Sequence, residues 1–487
     1  MNAAIDQQSP EPIARRTTRR IARRLAPFLF ILYVFNYIDR VNVSYAALQM
    51  TGELHFSNAV FGFGAGVFFI GYFLFQIPQT MLVEVWSARK YIGATLIGWG
   101  GLATITGLIS SAHQFYWIRF FLGVAEAGFF PGVIVYLTHW YRYADRAKAV
   151  AMFMLAIPMS NLLGAAFAVF LMKIHWFGYG GWRWLLMLEG FPAVITGFAT
   201  FFYLTDRPKD AKWLAEDERN WITAELDREK AAKEGQIKLS LWQSVRHPQV
   251  LLLAGAYFCY ITNSIGLGVW LPKIVQRISG GNTREVILLS GIPWLLAIPA
   301  MLLSSWHSDK TRERRWHAAV PILLVGVALA CSQWAGTHVI LAVTAFSFAT
   351  MALYAFPSPF WALPTLFLSG PAAAASIAFI NSVGNLGGFA GPYVIGFLTD
   401  KTGTYQAGIF YLVASGLVGG LLVLSLRSGS ISERAPASGV GPPGALMGTS
   451  GSCTKMSQGS AVRGFTAESV PFPLREFALP SLCRKRA

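Results

Sequence analysis

Residues 35–47 read FNYIDRVNVSYAA and lie inside an apolar run that begins at Leu25, yet they place Asp39 next to Arg40. A charged side chain inside a lipid-spanning helix costs about 2.5–3.5 kcal/mol and usually faces a bundle interior or a water-filled cavity. We therefore predict that this run crosses a membrane and that Asp39 and Arg40 belong to a polar interior.

The chain contains about twelve apolar runs near or above the roughly 18–20 residues that cross about 30 Å of hydrocarbon. Its 487 residues are 54% hydrophobic and 13% charged, whereas soluble domains carry about 25% charged residues. Backbone polar groups in lipid must be bonded within their own segment, so runs of this length indicate helices. The predicted fold is an all-α integral membrane protein with twelve transmembrane helices. The runs are 25–48, 58–84, 91–110, 114–138, 147–173, 183–205, 248–275, 285–307, 317–335, 338–366, 372–399 and 404–426.

The net charge of +16 follows a membrane topology rather than a nucleic-acid-binding surface. Basic residues gather before the first run and after the second, fourth and eighth, which all fall on one side if the N-terminus is cytoplasmic. We predict a multi-pass protein of the cell inner (plasma) membrane, with both termini cytoplasmic and no nucleic-acid partner. The basic clusters are Arg15, Arg16, Arg19, Arg20, Arg23 and Arg24; Arg89 and Lys90; Arg142, Arg146 and Lys148; and Lys310, Arg312, Arg314 and Arg315.

A long charged segment, residues 206–239, divides the apolar runs six and six. Trp213, Leu214, Trp221 and Ile222 recur there at near-helical spacing, which predicts a helix on the membrane surface. The chain after residue 427 is rich in Ser, Gly and Pro without an apolar period, which predicts disorder. The predicted units are a basic cytoplasmic segment (1–24), a six-helix half (25–205), a cytoplasmic linker (206–247), a second six-helix half (248–427) and a disordered tail (428–487).

The two halves resemble each other at an offset of roughly 220–225 residues, as in transporters built from parallel repeats. SNLLGAAF at 160–167 matches GNLGGFAG at 384–391, and Pro131 falls near Pro357. Several weak matches share this offset, so we predict two six-helix pseudo-repeats.

The fourth run carries a second set of charges within RFFLGVAEAGFFPG, residues 119–132. Arg119, Gly123 and Glu126 are spaced i, i+4, i+7, which places the two charges on one helix face about 10 Å apart along the axis. Burial favours the neutral form of a carboxyl, whereas a nearby guanidinium favours the ionised form. Glu126 is therefore a candidate for gaining and losing a proton.

Structural interpretations compete with these functional ones. Arg119 and Asp39 are equally well explained as a buried ion pair that locks the first helix to the fourth. Tyr37 and Tyr72 are also consistent with ordinary packing aromatics. Asn381 and Asn385, in a glycine-rich run, are consistent with close helix packing.

Four motifs together resemble the major facilitator superfamily, specifically its anion:cation symporter branch. They are YIDRVNVSYA (37–46), RFFLGVAEAGFFPG (119–132), SDKTRERRWH (308–317) and FINSVGNLGGFAGP (379–392). The resemblance covers about residues 20–427 and is greatest to the bacterial 4-hydroxyphenylacetate, phthalate and tartrate permeases.

The resemblance implies proton-driven uptake of a small organic anion, either an aromatic or a dicarboxylic acid. The implied proton-coupling residues are Asp39, Glu126 and Arg119. The implied substrate-binding residues are Arg40, Tyr37, Tyr72, Asn381 and Asn385.

The resemblance also implies gating residues in the loops that follow the second and eighth helices: Arg89, Asp309 and Arg314. The superfamily's loop motif has Asp then Arg after the second helix, but this chain has Glu84 and Val85 there. The implied partners are a small carboxylate, protons and the lipid bilayer. The protein is expected to be a monomer that needs no cofactor or metal beyond a proton gradient.

Other function classes fit less well. A proton-coupled exporter or antiporter of drugs or metabolites has the same fold and is the main alternative. Exporters usually carry a fifth helix rich in Gly and Pro, whereas AIPMSNLLGAA (156–166) has only Pro158 and Gly164. A channel would need rings of charge or carbonyls along a pore. The eight histidines lack metal-ligand spacing, so we predict that the protein is not an enzyme.

Overall fold

The computed structural model describes residues 10–234, 246–367 and 370–426, and within these ranges it is helical without a β-strand. Within the described residues, ten helical segments are long and apolar enough to span a membrane, and three of these segments each combine two of the consecutive helices named below. The two remaining predicted runs, 91–110 and 372–399, are also largely helical. The predicted tail, 428–487, and part of the linker, 235–245, lie outside the described residues.

Eight helices form the first half of the chain. Four of the six predicted transmembrane runs in this half, and all six in the second half, begin or end within two residues of a helix boundary or break. The helices are α1 (Pro10–Glu53), α2 (Asn58–Val85), α3 (Ala88–Thr106), α4 (Ala112–Glu126), α5 (Phe129–Thr138), α6 (Tyr143–Met154), α7 (Ala156–Leu171) and α8 (Gly181–Tyr203).

The linker and the second half contribute nine further helices. The helix predicted within the linker is α9. The helices are α9 (Glu216–Glu234), α10 (Pro248–Ser279), α11 (Thr283–Thr311), α12 (Arg315–Ser332), α13 (Val339–Ala355), α14 (Pro357–Phe367), α15 (Gly370–Asn385), α16 (Gly387–Thr402) and α17 (Gln406–Leu424).

Helix α1 runs without a break through the boundary predicted between residues 24 and 25. Its 44 residues extend about 66 Å, more than twice the thickness of the hydrocarbon core. The extra turns lie beside α9, where Arg16 and Arg20 pair with Asp217 and Glu218. The basic N-terminal segment is therefore held to the linker helix. We call the face of the bundle that carries α9 the proximal face and the opposite one the distal face.

Corresponding crossings are broken in the two halves, which supports the predicted repeat. In the first half the breaks separate α4 from α5 and α6 from α7; in the second they separate α13 from α14 and α15 from α16. Pro131 and Pro357 lie close after two of these breaks, and proline cannot donate the backbone hydrogen bond that would continue a helix. Irregular backbone of this kind is tolerated at membrane depth only where it is buried in protein or lines a water-filled cavity.

Candidate transport site

A cavity lies between the two halves, and side chains from both halves line it. Of its described lining residues two are charged, and both are arginines: Arg40 of α1 and Arg119 of α4. The second half contributes Trp294 of α11 and Tyr354 of α13. A cavity whose charged lining groups are both cationic has the electrostatics to attract an anion.

Arg40 is held by a carboxylate on one side and by aromatic rings on the others. Its guanidinium pairs with Glu126. The guanidinium carbon lies 5.1 Å from the ring centre of Tyr72, 5.5 Å from that of Phe68 and 5.7 Å from that of Tyr37. Ring faces attract cations, so Arg40 keeps a favourable position even when its carboxylate partner is neutral.

Glu126 is the last residue of α4, directly before a helix break, and only 1% of it is exposed. Gln79 of α2 bonds the backbone around the break. Its side-chain oxygen accepts from the Gly128 N–H at 3.0 Å and from the Tyr91 hydroxyl at 2.7 Å, and its amide donates to the Val124 carbonyl at 2.6 Å. Gln79 therefore fixes the backbone that carries Glu126. The sequence interpretation missed this residue, whose only signal in the sequence is an amide within an apolar run.

Asp39 is bonded by neutral donors rather than by Arg119. The Trp99 indole N–H of α3 donates to one carboxylate oxygen at 2.7 Å, and the Asn42 amide donates to the other at 3.2 Å. Arg119 instead lies 5.0 Å from the ring centre of Phe68 and acts on Asp39 and Glu126 through space. The alternative of an Asp39–Arg119 ion pair is therefore wrong for this structure. Trp99 was not predicted, although an indole N–H buried in a membrane requires an acceptor.

A hydrogen bond between the two halves lies at the cavity. The Asn161 amide of α7 donates to the Tyr354 hydroxyl at 2.9 Å, and Tyr354 packs edge-to-face against Trp294. Sequence reasoning used Asn161 only as a marker of the repeat. Asn381 and Asn385 lie on α15 and are not among the described cavity-lining residues, so their substrate role stays a prediction.

The predicted gating residues form contacts on the proximal face, Arg89 with the start of the linker and Arg314 within the second half. The side chain of Arg89 lies 3.8 Å from the Asp206 carboxylate, which also accepts from the Arg89 backbone N–H at 2.9 Å. Arg314 pairs with Asp309 at 2.7 Å and donates to the Ser308 hydroxyl at 3.0 Å. These pairs fix two loops of the proximal face, and their gating role stays a prediction.

The halves also meet at the distal face, where Asp400 bonds the N-terminus of α2. Its carboxylate accepts from the Asn58 backbone N–H at 3.1 Å, the Asn58 amide at 2.8 Å and the Ala59 N–H at 2.7 Å. Nearby, the Lys273 ammonium of α10 donates to the Thr51 hydroxyl of α1 at 3.1 Å. Partial burial opposes ionisation of Asp400, but the hydrogen bonds from Ala59, Asn58 and Ser57 outweigh it and lower the pKa of the carboxyl.

Comparison with known proteins agrees with this architecture. A protein of Agrobacterium vitis named a putative tartrate transporter is 44% identical over 411 residues, which cover 84% of this chain and 93% of that protein. A quinolone resistance transporter of Acinetobacter baumannii is 37% identical, with coverage of 81% and 91%. The crystal structure of a D-xylose–proton symporter superposes with a TM-score of 0.65 at 15% identity, with coverage of 83% and 97%. The sequence model of the Major Facilitator Superfamily matches residues 29–392. The chain therefore belongs to the Major Facilitator Superfamily and is a membrane transporter, not an enzyme.

Proposed function

We propose that this transporter takes up a small organic anion, an aromatic or dicarboxylic acid, together with protons. The observation that carries the proposal is the cavity between the halves, where the charged residues among the described lining side chains are Arg40 and Arg119. A guanidinium binds a carboxylate through two parallel hydrogen bonds, which fixes both the charge and the orientation of the ligand. The name of the tartrate-transporter relative, 44% identical, agrees with a dicarboxylate ligand.

Proton coupling follows from competition for Arg40. Glu126 occupies the guanidinium in this structure, so an arriving carboxylate must displace it. When Glu126 takes a proton it loses its negative charge, and Arg40 becomes available to the substrate. An anion and a proton then enter together, which cancels charge and reduces the cost of closing a water-poor cavity around them.

Release follows when the halves rock about the central site and the cavity meets the less acidic side of the membrane. Glu126 loses its proton there, pairs again with Arg40 and displaces the carboxylate. The hydrogen bond from Asn161 to Tyr354 crosses the halves beside the cavity, so this motion must change it. Asp39, whose carboxylate accepts a hydrogen bond from the Trp99 indole, is the second carboxyl that gains and loses a proton in this cycle.

The same proposal includes the membrane arrangement. We place the protein in the cell inner membrane as a monomer, with the proximal face and both termini in the cytoplasm and the distal face outside. The basic residues at the proximal ends of the helices support this orientation. The proton gradient supplies the driving force, and no cofactor takes part.

The test is uptake of radiolabelled tartrate and a panel of aromatic and dicarboxylic acids into vesicles that contain the purified protein. We expect one or more of these acids to accumulate when the outside is acidic, and a protonophore to abolish the accumulation. Accumulation of the acid that persists after the gradient collapses would contradict proton symport, and failure to transport any carboxylate would contradict the substrate class.

Export is the second candidate, because the 37% identical relative is named a quinolone resistance transporter. Under this alternative the protein exchanges external protons for an internal drug. Expression in a drug-sensitive bacterium would then lower quinolone accumulation. We expect no such change, because the proposed symport carries its anion inward together with protons.

A further inference from the structure

A lysine of the second half reaches the first half at the distal face. The ammonium of Lys273, on α10, donates to the Thr51 hydroxyl of α1 at 3.1 Å. It lies 5.7 Å from the ring centre of Phe61 on α2 and 5.7 Å from that of Trp270 on α10. The two rings meet edge-to-face, with their centres 5.3 Å apart. The cation therefore lies between the halves, next to neutral groups.

The ammonium has no carboxylate at contact distance. It carries three N–H donors, and Thr51 accepts from one of them. Within the described residues, no carboxylate oxygen lies within 4.0 Å of this ammonium. Asp400 acts on it through space, but that carboxylate already accepts from Asn58 and Ala59. Lys273 therefore keeps donors and positive charge for an anion.

The lysine and one of its ring partners lie on the same helix faces as the cavity, one turn closer to the distal face. Val269 of α10 lines the cavity, and Lys273 follows it by four residues, about 6 Å along the axis. On α2, Ala65 lines the cavity and Phe61 precedes it by four residues, toward the distal start of the helix. An anion that enters between these helices from the distal face therefore meets Lys273 before Arg40.

Opening of the distal face changes the partners of Lys273. Thr51 and Phe61 belong to the first half, whereas Trp270 lies on the same helix as the lysine. When the halves separate at this face, the ammonium loses the hydroxyl and the Phe61 ring and keeps the Trp270 ring. Its charge is then available to a carboxylate. When the face closes, Thr51 and Phe61 contact the ammonium again and displace that carboxylate.

We propose that Lys273 is a capture site for the carboxylate of the incoming acid, occupied before the acid reaches Arg40. The anion pairs with the ammonium while the distal face is open, and the cationic cavity receives it as the face closes. This inference rests on the proposed uptake of an organic anion, but carboxylate binding at Lys273 is measurable without transport.

The direct test is protection of Lys273 from acetylation in the purified full chain. A lysine pairs with a carboxylate as the protonated ammonium, which does not react with N-hydroxysulfosuccinimide acetate. Bound tartrate should therefore slow the acetylation about two- to fivefold, as expected for one ion pair at a partly exposed position. Mass spectrometry of the peptide that contains Lys273 measures the rate.

Three controls isolate the charge and the position. The uncharged diamide of tartaric acid should give no protection. Lys401, an exposed lysine of the same face, should react equally fast with and without tartrate. Arg40→Gln should keep the protection of Lys273, because this variant lacks a cavity cation but retains the capture site.

Uptake into vesicles gives a second readout with a matched pair of variants. Lys273→Gln should lower uptake from the distal side about two- to fivefold at low tartrate concentration, and much less at saturation. Lys273→Arg keeps the charge and should transport like the wild type. Thr51→Val removes the hydrogen bond that Lys273 makes in this structure but leaves the cation, so it should not slow uptake.

Four results would overturn the proposal: acetylation of Lys273 that tartrate does not slow, protection that disappears in Arg40→Gln, unchanged uptake in Lys273→Gln, or equal slowing in Lys273→Gln and Thr51→Val. The last result would show that Lys273 only closes the distal face. Protection in a wild type that transports no carboxylate would reject the proposed function and support the capture site. Uptake by a wild type without protection would reject the capture site alone.

Discussion

At the scale of single residues, the site depends on a partly buried cation, Arg40, with two possible anionic partners. Arg40 pairs with Glu126 and lies among the rings of Tyr37, Phe68 and Tyr72. Removing one member of a buried ion pair usually leaves an uncompensated charge, which costs several kcal/mol. The substrate carboxylate can supply that compensation, which is why proton binding and anion binding favour each other.

The first prediction concerns Glu126→Gln, which imitates the protonated side chain permanently. Arg40 then stays available to substrate, so counterflow exchange should persist while gradient-driven accumulation is lost. A gradient of about one pH unit supplies about 1.4 kcal/mol per proton, or about tenfold accumulation, and this factor should disappear. Radiolabel uptake and exchange in vesicles measure both properties. Glu216→Gln, which changes an exposed residue of α9, is the control. Equal loss of exchange and accumulation in Glu126→Gln would instead show that Glu126 is a structural residue.

The second prediction concerns Arg40→Lys. Lysine keeps the charge but loses the paired N–H donors and the planar contact with the rings. Loss of one charge-assisted hydrogen bond, worth about 1.5–3 kcal/mol, should weaken substrate binding by about tenfold to 150-fold. Titration calorimetry or concentration-dependent exchange measures this change. Arg228→Lys, an exposed substitution on α9, should have no effect, and unchanged affinity in Arg40→Lys would remove Arg40 from the binding site.

At the scale of elements, the broken helices place charged residues where continuous helices could not. Glu126 ends α4, and Gln79 satisfies the backbone of the break that follows. Gly123 lets α4 approach the backbone of α2 at Phe68 closely, because any side chain there would overlap it. The break and the close contact together set the height and direction of the Glu126 side chain.

The third prediction concerns Gln79→Leu. This change leaves the Gly128 N–H, the Tyr91 hydroxyl and the Val124 carbonyl without their present partner, and each buried polar group left unpaired costs about 1–3 kcal/mol. We expect a lower melting temperature of the purified protein in detergent, together with slower uptake. Gln114→Leu, at the exposed start of α4, is the matched control. Equal stability of Gln79→Leu and the wild type would show that the break does not depend on this amide.

At the scale of the whole molecule, transport requires contacts between the halves that form and break. The distal contact combines a carboxylate with the N-terminus of α2, where unpaired N–H groups carry partial positive charge. Because the folded-state pKa of Asp400 is lowered, this contact is present above the ordinary aspartate range and is lost only as the pH falls through the lowered value. An acidic exterior at about pH 5 therefore leaves it intact.

The fourth prediction concerns Asp400→Asn. Loss of the charge at the α2 N-terminus should cost about 0.3–1 kcal/mol and shift the population toward states with an open distal face by about two- to fivefold. In a variant without native cysteines, Ala65→Cys in the cavity lining reports this opening through labelling by an impermeant thiol reagent from the distal side. In the Ala65→Cys variant that keeps Asp400, labelling should stay constant between about pH 8 and pH 5. Lys401→Gln is the control, and unchanged labelling in Asp400→Asn would show that the contact does not hold the halves.

Much of the fold and part of the site could be predicted from local patterns. Run length and hydrophobicity predicted the helices, since lipid leaves the backbone few alternatives. Residue spacing on α1 and α4 identified Arg40 and Glu126 as interior charges. A charge inside a lipid-spanning helix is costly unless it faces the interior of the bundle. The repeat predicted the paired architecture, which the family match confirms.

The sequence by itself determined the membrane class, the helices and the charges that must avoid lipid. Only the tertiary structure decided the partners of those charges: Arg40 with Glu126, and Asp39 with Trp99. The physical reason is that helical periodicity fixes which face a residue occupies on its own helix. Which distant helix meets that face depends on how all the helices pack at once, and no local pattern carries that information.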